Sequence, residues 1–147
     1  MIKEKVKDTL FTIQNQIIID LKERLLVNAE MVDIDENDTL DPEDYSHQNE
    51  STEMSHLLEI QLQKAEHELE RLSHIDFSNK VKIEIGSIVK TEQFSFVVSI
   101  ATIPFQVDNE QFVGISIDAP IYASMKDKVN DDEFAYGNNH YKIISII

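Results

Sequence analysis

Apolar residues recur every three or four positions in two long segments of the first half of the chain. The stripes cover residues 6–25 and 58–72, and the second advances in alternating steps of four and three. This spacing is typical of amphipathic helices, and of a coiled-coil seam in the second case. Neither segment can bury its stripe alone. The pattern therefore predicts an antiparallel hairpin of two helices, the first over residues 3–29 and the second capped by Ser51 or Thr52.

The second half alternates apolar and polar residues with a period of two, which is typical of strands. Five such runs predict a small antiparallel sheet: residues 81–85, 94–100, 112–117, 133–136 and 141–146. A short helix is predicted after the third run, where Asp118 suits the N-cap and Pro120 suits the first turn. We expect an α+β protein in which the sheet curls around this helix. Its predicted parts are a hairpin over residues 1–76 with an acidic tip at about residues 32–50, and a β domain over residues 77–147.

The charged residues also distinguish the two parts of the chain, because most of the net charge of −15 lies around the predicted tip of the hairpin. Residues 30–53, around the predicted tip, contain ten acidic residues and no Lys or Arg. This argues against stable binding of nucleic acid by the chain alone, since phosphates require a surplus of cations. The sequence contains no cysteine, which excludes disulfides and thiol nucleophiles. It also lacks a membrane-spanning run and a secretion signal, so we expect a cytoplasmic protein with no membrane partner.

Short motifs in the second half occur in a telling order. Residues 86–89 read GSIV, residues 115–121 read ISIDAPI and residues 141–146 read YKIISI. These segments resemble, in the same order, three segments of the Gre family of transcript-cleavage factors (GreA/GreB-like): G-[ST]-x-V, IS-x-[ED]-[SA]-P-[IL] and EYEI-x-x-I. The resemblance implies an FKBP-like fold for the C-terminal domain, preceded by a coiled-coil hairpin.

The same resemblance implies a function for the hairpin. It implies that the chain binds bacterial RNA polymerase, that the hairpin enters the polymerase's secondary channel, and that tip carboxylates help to hold a catalytic Mg²⁺. The candidates for this assisting catalytic role are Asp41, Glu43 and Asp44, of which Asp41 and Asp44 are the candidate metal ligands. Because the tip matches the family only in its acids, stimulation and inhibition of transcript cleavage both stay open.

The resemblance also implies a docking surface on the C-terminal domain. The predicted contacts with the polymerase surround the short helix and are Asp118, Pro120, Tyr122 and Lys126. The apolar side chains of that helix are expected in the core. We expect no catalysis by the chain alone, no cofactor of its own and no small-molecule substrate, because an acidic turn supplies no substrate pocket.

The acidic run has alternative interpretations. Between Asp33 and Asp44, acidic, Asn and Thr residues fall at the ligand positions of a Ca²⁺ loop, although Asp38 stands where that loop requires Gly. The run is also consistent with a solvated turn that binds no specific ligand. In a further alternative, the chain is a protein-interaction module whose hairpin recognises another protein. A prolyl isomerase is disfavoured, because the sequence suggests no aromatic-rich pocket. His67 and His74 share a helix face and are expected at the surface.

Overall fold

Two long helices make up the first half of the structure. The structure is a computed structural model, and it describes the backbone of residues 1–33 and 42–147 and the side chains of residues 1–30 and 49–147. Helix α1 spans Ile2–Asp33 and helix α2 spans Pro42–Ser73, with 32 residues in each. At about 1.5 Å per residue, each helix is about 48 Å long.

The two helices pack on each other within residues 12–70, which form one compact unit. The amide of Gln14, a buried side chain, donates to the carbonyl of Ala65 at 2.8 Å, and the amide of Asn28 donates to the carbonyl of Ser51. As the chain advances along α1 from residue 14 to residue 28, its partner on α2 moves back from residue 65 to residue 51. The two helices are therefore antiparallel. The apolar core of this unit comes from both stripes: Ile18, Leu21, Leu25, Leu58, Leu62, Ala65 and Leu69. The predicted helical hairpin is confirmed.

Helix α2 begins earlier than the sequence analysis predicts. Its first residue is Pro42, so neither Ser51 nor Thr52 caps it, and residues 42–50 of the predicted tip are helical. Proline suits the first helical position, because its fixed φ is helical and the N–H that it lacks would have no partner there. Acidic residues are also favoured near a helix N-terminus. A composition that favours a turn is thus compatible with the first turns of a helix.

Strands and one short helix follow in the second half. They are β1 (Ile88–Thr91), β2 (Ser95–Val98), β3 (Phe105–Val107), β4 (Glu110–Ile115), helix α3 (Pro120–Met125), β5 (Glu133–Tyr136) and β6 (Asn139–Ile146). They form one six-stranded sheet in the order β3-β4-β2-β1-β6-β5. Neighbouring strands are antiparallel except β2 and β4, which are parallel. The α+β class and the short helix are confirmed. The small, mainly antiparallel sheet is confirmed too, with six strands where about five are predicted and with one parallel pair.

The predicted strand over residues 81–85 is wrong. Ile83 is buried there, whereas Val81 is 85% exposed. The backbone N–H of Ile83 donates to the carbonyl of Lys128 at 2.9 Å, and its carbonyl accepts from the N–H of Asp127 at 3.0 Å. This segment therefore pairs locally with the residues after α3 and supplies none of the strands of the sheet. Its alternation reflects one buried side chain between exposed neighbours.

Apolar side chains cover both faces of the sheet. On one face, Tyr122 of α3 packs in a cluster with Phe96 of β2. On the other face, Val97 of β2 belongs to a cluster with Leu10 of α1 and Leu72 of α2. All four residues of β2 are consequently buried, as expected for a strand covered on both sides. The compact unit built around these two clusters comprises residues 1–11 and 71–147.

Candidate functional site

Most of the net charge belongs to the hairpin unit, residues 12–70. This part of the sequence contains 16 acidic and 3 basic residues, whereas the other unit contains 12 acidic and 10 basic residues. The net charges are therefore −13 and −2. Carboxylates such as those of Glu59 and Glu66 lie exposed on α2. A field of one sign over a helix pair attracts cations and cationic surfaces and repels phosphates.

The structure describes only part of the predicted acidic tip. Asp41 falls outside the described residues, and so does most of the candidate Ca²⁺ loop between Asp33 and Asp44. Glu43 and Asp44 belong to the first turn of α2, and their side chains also fall outside the described part of the chain. The assisting catalytic role of these three residues, and the binding of Mg²⁺ by Asp41 and Asp44, stay predictions.

The described residues outside the tip form no metal centre. Among them, no three His, Asp or Glu side chains come close enough together to hold a metal ion. His67 on α2 and His74 directly after it are both exposed, as the sequence predicts. None of the helices, over its described residues, is long and apolar enough to cross a bilayer.

Three of the four predicted docking residues are exposed around α3. Asp118 precedes the helix, Pro120 begins it and Lys126 follows its last residue. Asp118 is not the N-cap, because Ala119 occupies that position. The Asp118 carboxylate instead lies 3.6 Å from the guanidinium of Arg71, at the end of α2. Because the carboxylate is well exposed, this ion pair contributes little to stability and stays accessible to a partner.

Tyr122 is the exception, because it is buried and only 9% exposed. It belongs to the same apolar cluster as Ile83 and Met125. Burial raises the pKa of the Tyr122 hydroxyl, and the negative charges of Asp127 and Glu84 raise it further. The prediction that Tyr122 is an exposed contact is wrong. Its spacing of three from Met125 places both side chains on the face of α3 that packs on the sheet.

A cavity of about 450 Å³ lies beside the first turns of α1. Its lining includes Lys3, Lys7, Ile75 and Phe77, all within the unit that contains the sheet. Lys3 is only 7% exposed, and its ammonium donates to the carbonyl of Ser78 at 2.8 Å. This site could not be predicted from the sequence. A lysine near the start of an amphipathic helix suggests a surface residue, and its partner lies 75 positions away in the sequence.

Comparisons with known proteins find a likeness among solved structures. No protein-family model matches the sequence, and a search of curated proteins finds no relative. Among solved structures, the chain is similar to the crystal structure of GreA factor homolog 1 (Gfh1) protein of Thermus thermophilus. The two are 18% identical, the match covers 93% of this chain and 94% of that chain, and the TM-score is 0.37. A likeness at this level establishes no family, so the function is argued from the residues of this chain.

Proposed function

We propose that this chain binds bacterial RNA polymerase and modulates transcript elongation through the polymerase's secondary channel. The observation that carries the proposal is the hairpin unit, a packed pair of helices with a net charge of −13. Two packed helices are only about 10 by 20 Å across. Such a unit can bring carboxylates into a narrow passage that admits no globular domain. The motifs in residues 86–146, with their resemblance to the Gre family, support the choice of polymerase as the partner.

The chemistry of the tip follows from its donor atoms. Asp41 and Asp44 supply carboxylate oxygens, which are the ligands that Mg²⁺ prefers. A Mg²⁺ ion held by these residues would neutralise negative charge at a reacting phosphodiester. The part played by this chain is to place those carboxylates, while the Glu43 carboxylate can accept a hydrogen bond from an attacking water. The chain thus modulates the polymerase and needs no active site of its own.

Docking is assigned in this proposal to the surface around α3. Asp118, Pro120 and Lys126 are exposed there, and together they offer one carboxylate, one apolar ring and one ammonium. Tyr122 is excluded from this surface by its burial. A cytoplasmic location follows from the proposed partner.

The experiment is RNA shortening in a stalled elongation complex, measured with and without the protein. The wild-type chain is expected to change the rate of endonucleolytic shortening, whether by raising or by lowering it. The double variant Asp41→Asn/Asp44→Asn keeps the size of both side chains and removes two charges. We expect the change in shortening rate that the double variant causes to be at least about ten times smaller than the change caused by the wild type. A tenfold difference in rate corresponds to only about 1.4 kcal/mol at the transition state.

A matched variant separates the tip from the total charge. Glu59→Gln/Glu66→Gln removes the same charge from exposed positions on α2 and is expected to retain the wild-type effect. If the tip variant acts as the wild type does, the tip carboxylates have no such role. If both double variants lose the effect equally, it depends on total charge and the assigned residues are wrong.

A further inference from the structure

The cavity beside the start of α1 holds a buried amine. Lys3 lines it and is 93% shielded from solvent, with its ammonium held 2.8 Å from the Ser78 carbonyl. Burial lowers the pKa of Lys3 from 10.5 to about 8, the nearby ammonium of Lys80 lowers it as well, and the carboxylate of Asp76 partly opposes them. Near neutral pH, a sizeable fraction of this amine therefore carries a free lone pair. A neutral amine is a nucleophile, whereas an ammonium is not.

A second cation lies on the same wall of the cavity. Lys7 is four residues beyond Lys3, so the two side chains share one face of α1. The ammonium of Lys7 lies 5.8 Å from the centroid of the Phe77 ring, which also lines the cavity. The Lys7 side chain is exposed, so its ammonium lies beside the ring and stays accessible to an anionic group. The cavity thus combines one nucleophilic amine with one positioned positive charge.

The other lining groups narrow the ligand class. Glu4 and Asp76 bring carboxylates to the rim, so a simple inorganic anion meets charges of both signs. Ile75 and Phe77 supply apolar surface that suits a short acyl group. The matching reagent has an acyl carbon that the Lys3 amine can attack and an anionic leaving group that the Lys7 ammonium can attract.

We propose that Lys3 is an acylation site of this chain and that acyl phosphates are the class of donor that it takes. The lone pair of Lys3 Nζ attacks the carbonyl carbon of the donor and forms a C–N bond. The C–O bond to phosphate breaks, and phosphate leaves with the electron pair. The extra proton on the nitrogen passes to water. The product is a neutral amide, which removes the buried positive charge and its repulsion by Lys80. This inference is independent of the polymerase proposal.

The test uses acetyl phosphate and the intact wild-type chain, with the initial rate at each lysine measured by peptide mass spectrometry. Exposed Lys22 on the same helix is the internal reference. At pH 7, about one-tenth of an amine with a pKa of about 8 is neutral. For an amine with the ordinary lysine pKa, the neutral fraction is about one part in three thousand. Lower basicity offsets part of this advantage, so we expect Lys3 to react about tenfold faster than Lys22.

The pH profile shows whether Lys3 reacts faster because its amine is neutral at lower pH or because the reagent reaches it more easily. The titratable groups around Lys3 are the α-amino group of Met1, Glu4 and Lys7 of α1, and Asp76 and Lys80 after α2. The rate at Lys3 is expected to level off above about pH 8, whereas the rate of an amine with the ordinary lysine pKa keeps rising about tenfold per pH unit over the same range. Lys80→Gln removes a neighbouring positive charge and is expected to move the plateau to higher pH.

Lys7→Gln tests the donor class. This variant is expected to lower the rate at which acetyl phosphate acetylates Lys3 by about threefold or more. The rate of acetylation by the uncharged ester p-nitrophenyl acetate is expected to stay the same. Equal slowing of both reagents contradicts the preference for acyl phosphates. A Lys3 rate at pH 7 no higher than that of Lys22, or a Lys3 profile without a plateau, overturns the proposal.

Discussion

Replacing Gly86 with alanine is expected to lower the free energy of unfolding of the sheet-containing unit by about 3 kcal/mol or more. Gly86 has a φ of +89°, and a Cβ atom there would lie 2.0 Å from the carbonyl oxygen of Asp76 and 3.0 Å from its carbonyl carbon. Both atoms belong to the backbone, so no side-chain rotation relieves the clash. The left-handed conformation adds about 1–2 kcal/mol to an overpacking penalty of about 1–3 kcal/mol.

The measurement is urea unfolding followed by near-UV circular dichroism, which reports on the buried rings of Tyr122 and Tyr141. Gly137→Ala is the matched control, because Gly137 also has a positive φ, +62°, but has no atom within 4 Å of a built Cβ. It is expected to cost only about 1 kcal/mol. If the two variants differ by less than about 1 kcal/mol, the close approach of residues 76 and 86 is wrong.

Phe112→Ala is the second large expected loss, about 3–5 kcal/mol for truncation of a buried phenylalanine. Phe112 is 1% exposed and stacks on Phe105 with ring centroids 5.8 Å apart. It lies on β4 opposite Ser95 of β2 in the parallel pair and opposite Phe105 of β3 in the antiparallel pair. Its ring also belongs to the cluster that contains Leu10 and Leu72, so truncation loosens the contact of the helix ends with the sheet.

Val81→Ala is the control for this prediction and is measured in the same unfolding assay. The residue is 85% exposed, so its truncation is expected to change the free energy of unfolding by less than about 0.5 kcal/mol. A cost for Val81→Ala comparable to that of Phe112→Ala would restore residues 81–85 as part of the packed sheet and contradict the present description.

The helices could be predicted because their pattern is long and has one period. Leu58, Ala65 and Leu72 stand at coiled-coil spacing and are all buried, with exposures of 5%, 7% and 0%. The start of α2 could not be predicted in the same way. Pro42 and the acids after it are favoured both in turns and in the first turn of a helix, and only the position of the whole helix distinguishes the two.

The sheet was predictable in kind but not in pairing. A period of two indicates a strand, but it is the same for parallel and antiparallel partners, so the parallel pair of β2 and β4 left no signal. In β2 the apparent alternation of Phe96 and Val98 conceals Val97, which is buried on the opposite face. In residues 81–85, three apolar residues alternate with charged ones and so indicated a strand, but Ile83 alone is buried and no strand forms.

Some properties of the candidate sites could be predicted from the sequence and others could not. Asp118, Pro120 and Lys126 are exposed as predicted, since polar and cyclic residues around a short helix rarely enter a core. Tyr122 is amphipathic, so its residue type alone leaves its burial open, and its spacing of three from Met125 was the signal that places it on the packed face of α3. Lys3 could not be found from sequence, because its burial depends on a segment 75 residues away.

The measurement that tests the central claim most directly locates the hairpin in the elongation complex. The chain contains no cysteine, so a single introduced cysteine provides one defined attachment point. The two variants are Ala29→Cys, at an exposed position of α1, and Asn138→Cys, at an exposed position of the turn between β5 and β6. Each variant is labelled with an iron chelate that generates hydroxyl radicals over a short distance, and the cleaved polymerase subunits are mapped. We predict that the label at position 29 cuts the polymerase around its catalytic centre and that the label at position 138 does not. Cuts from position 29 that fall only on the outer surface, or no cuts at all, would contradict the account.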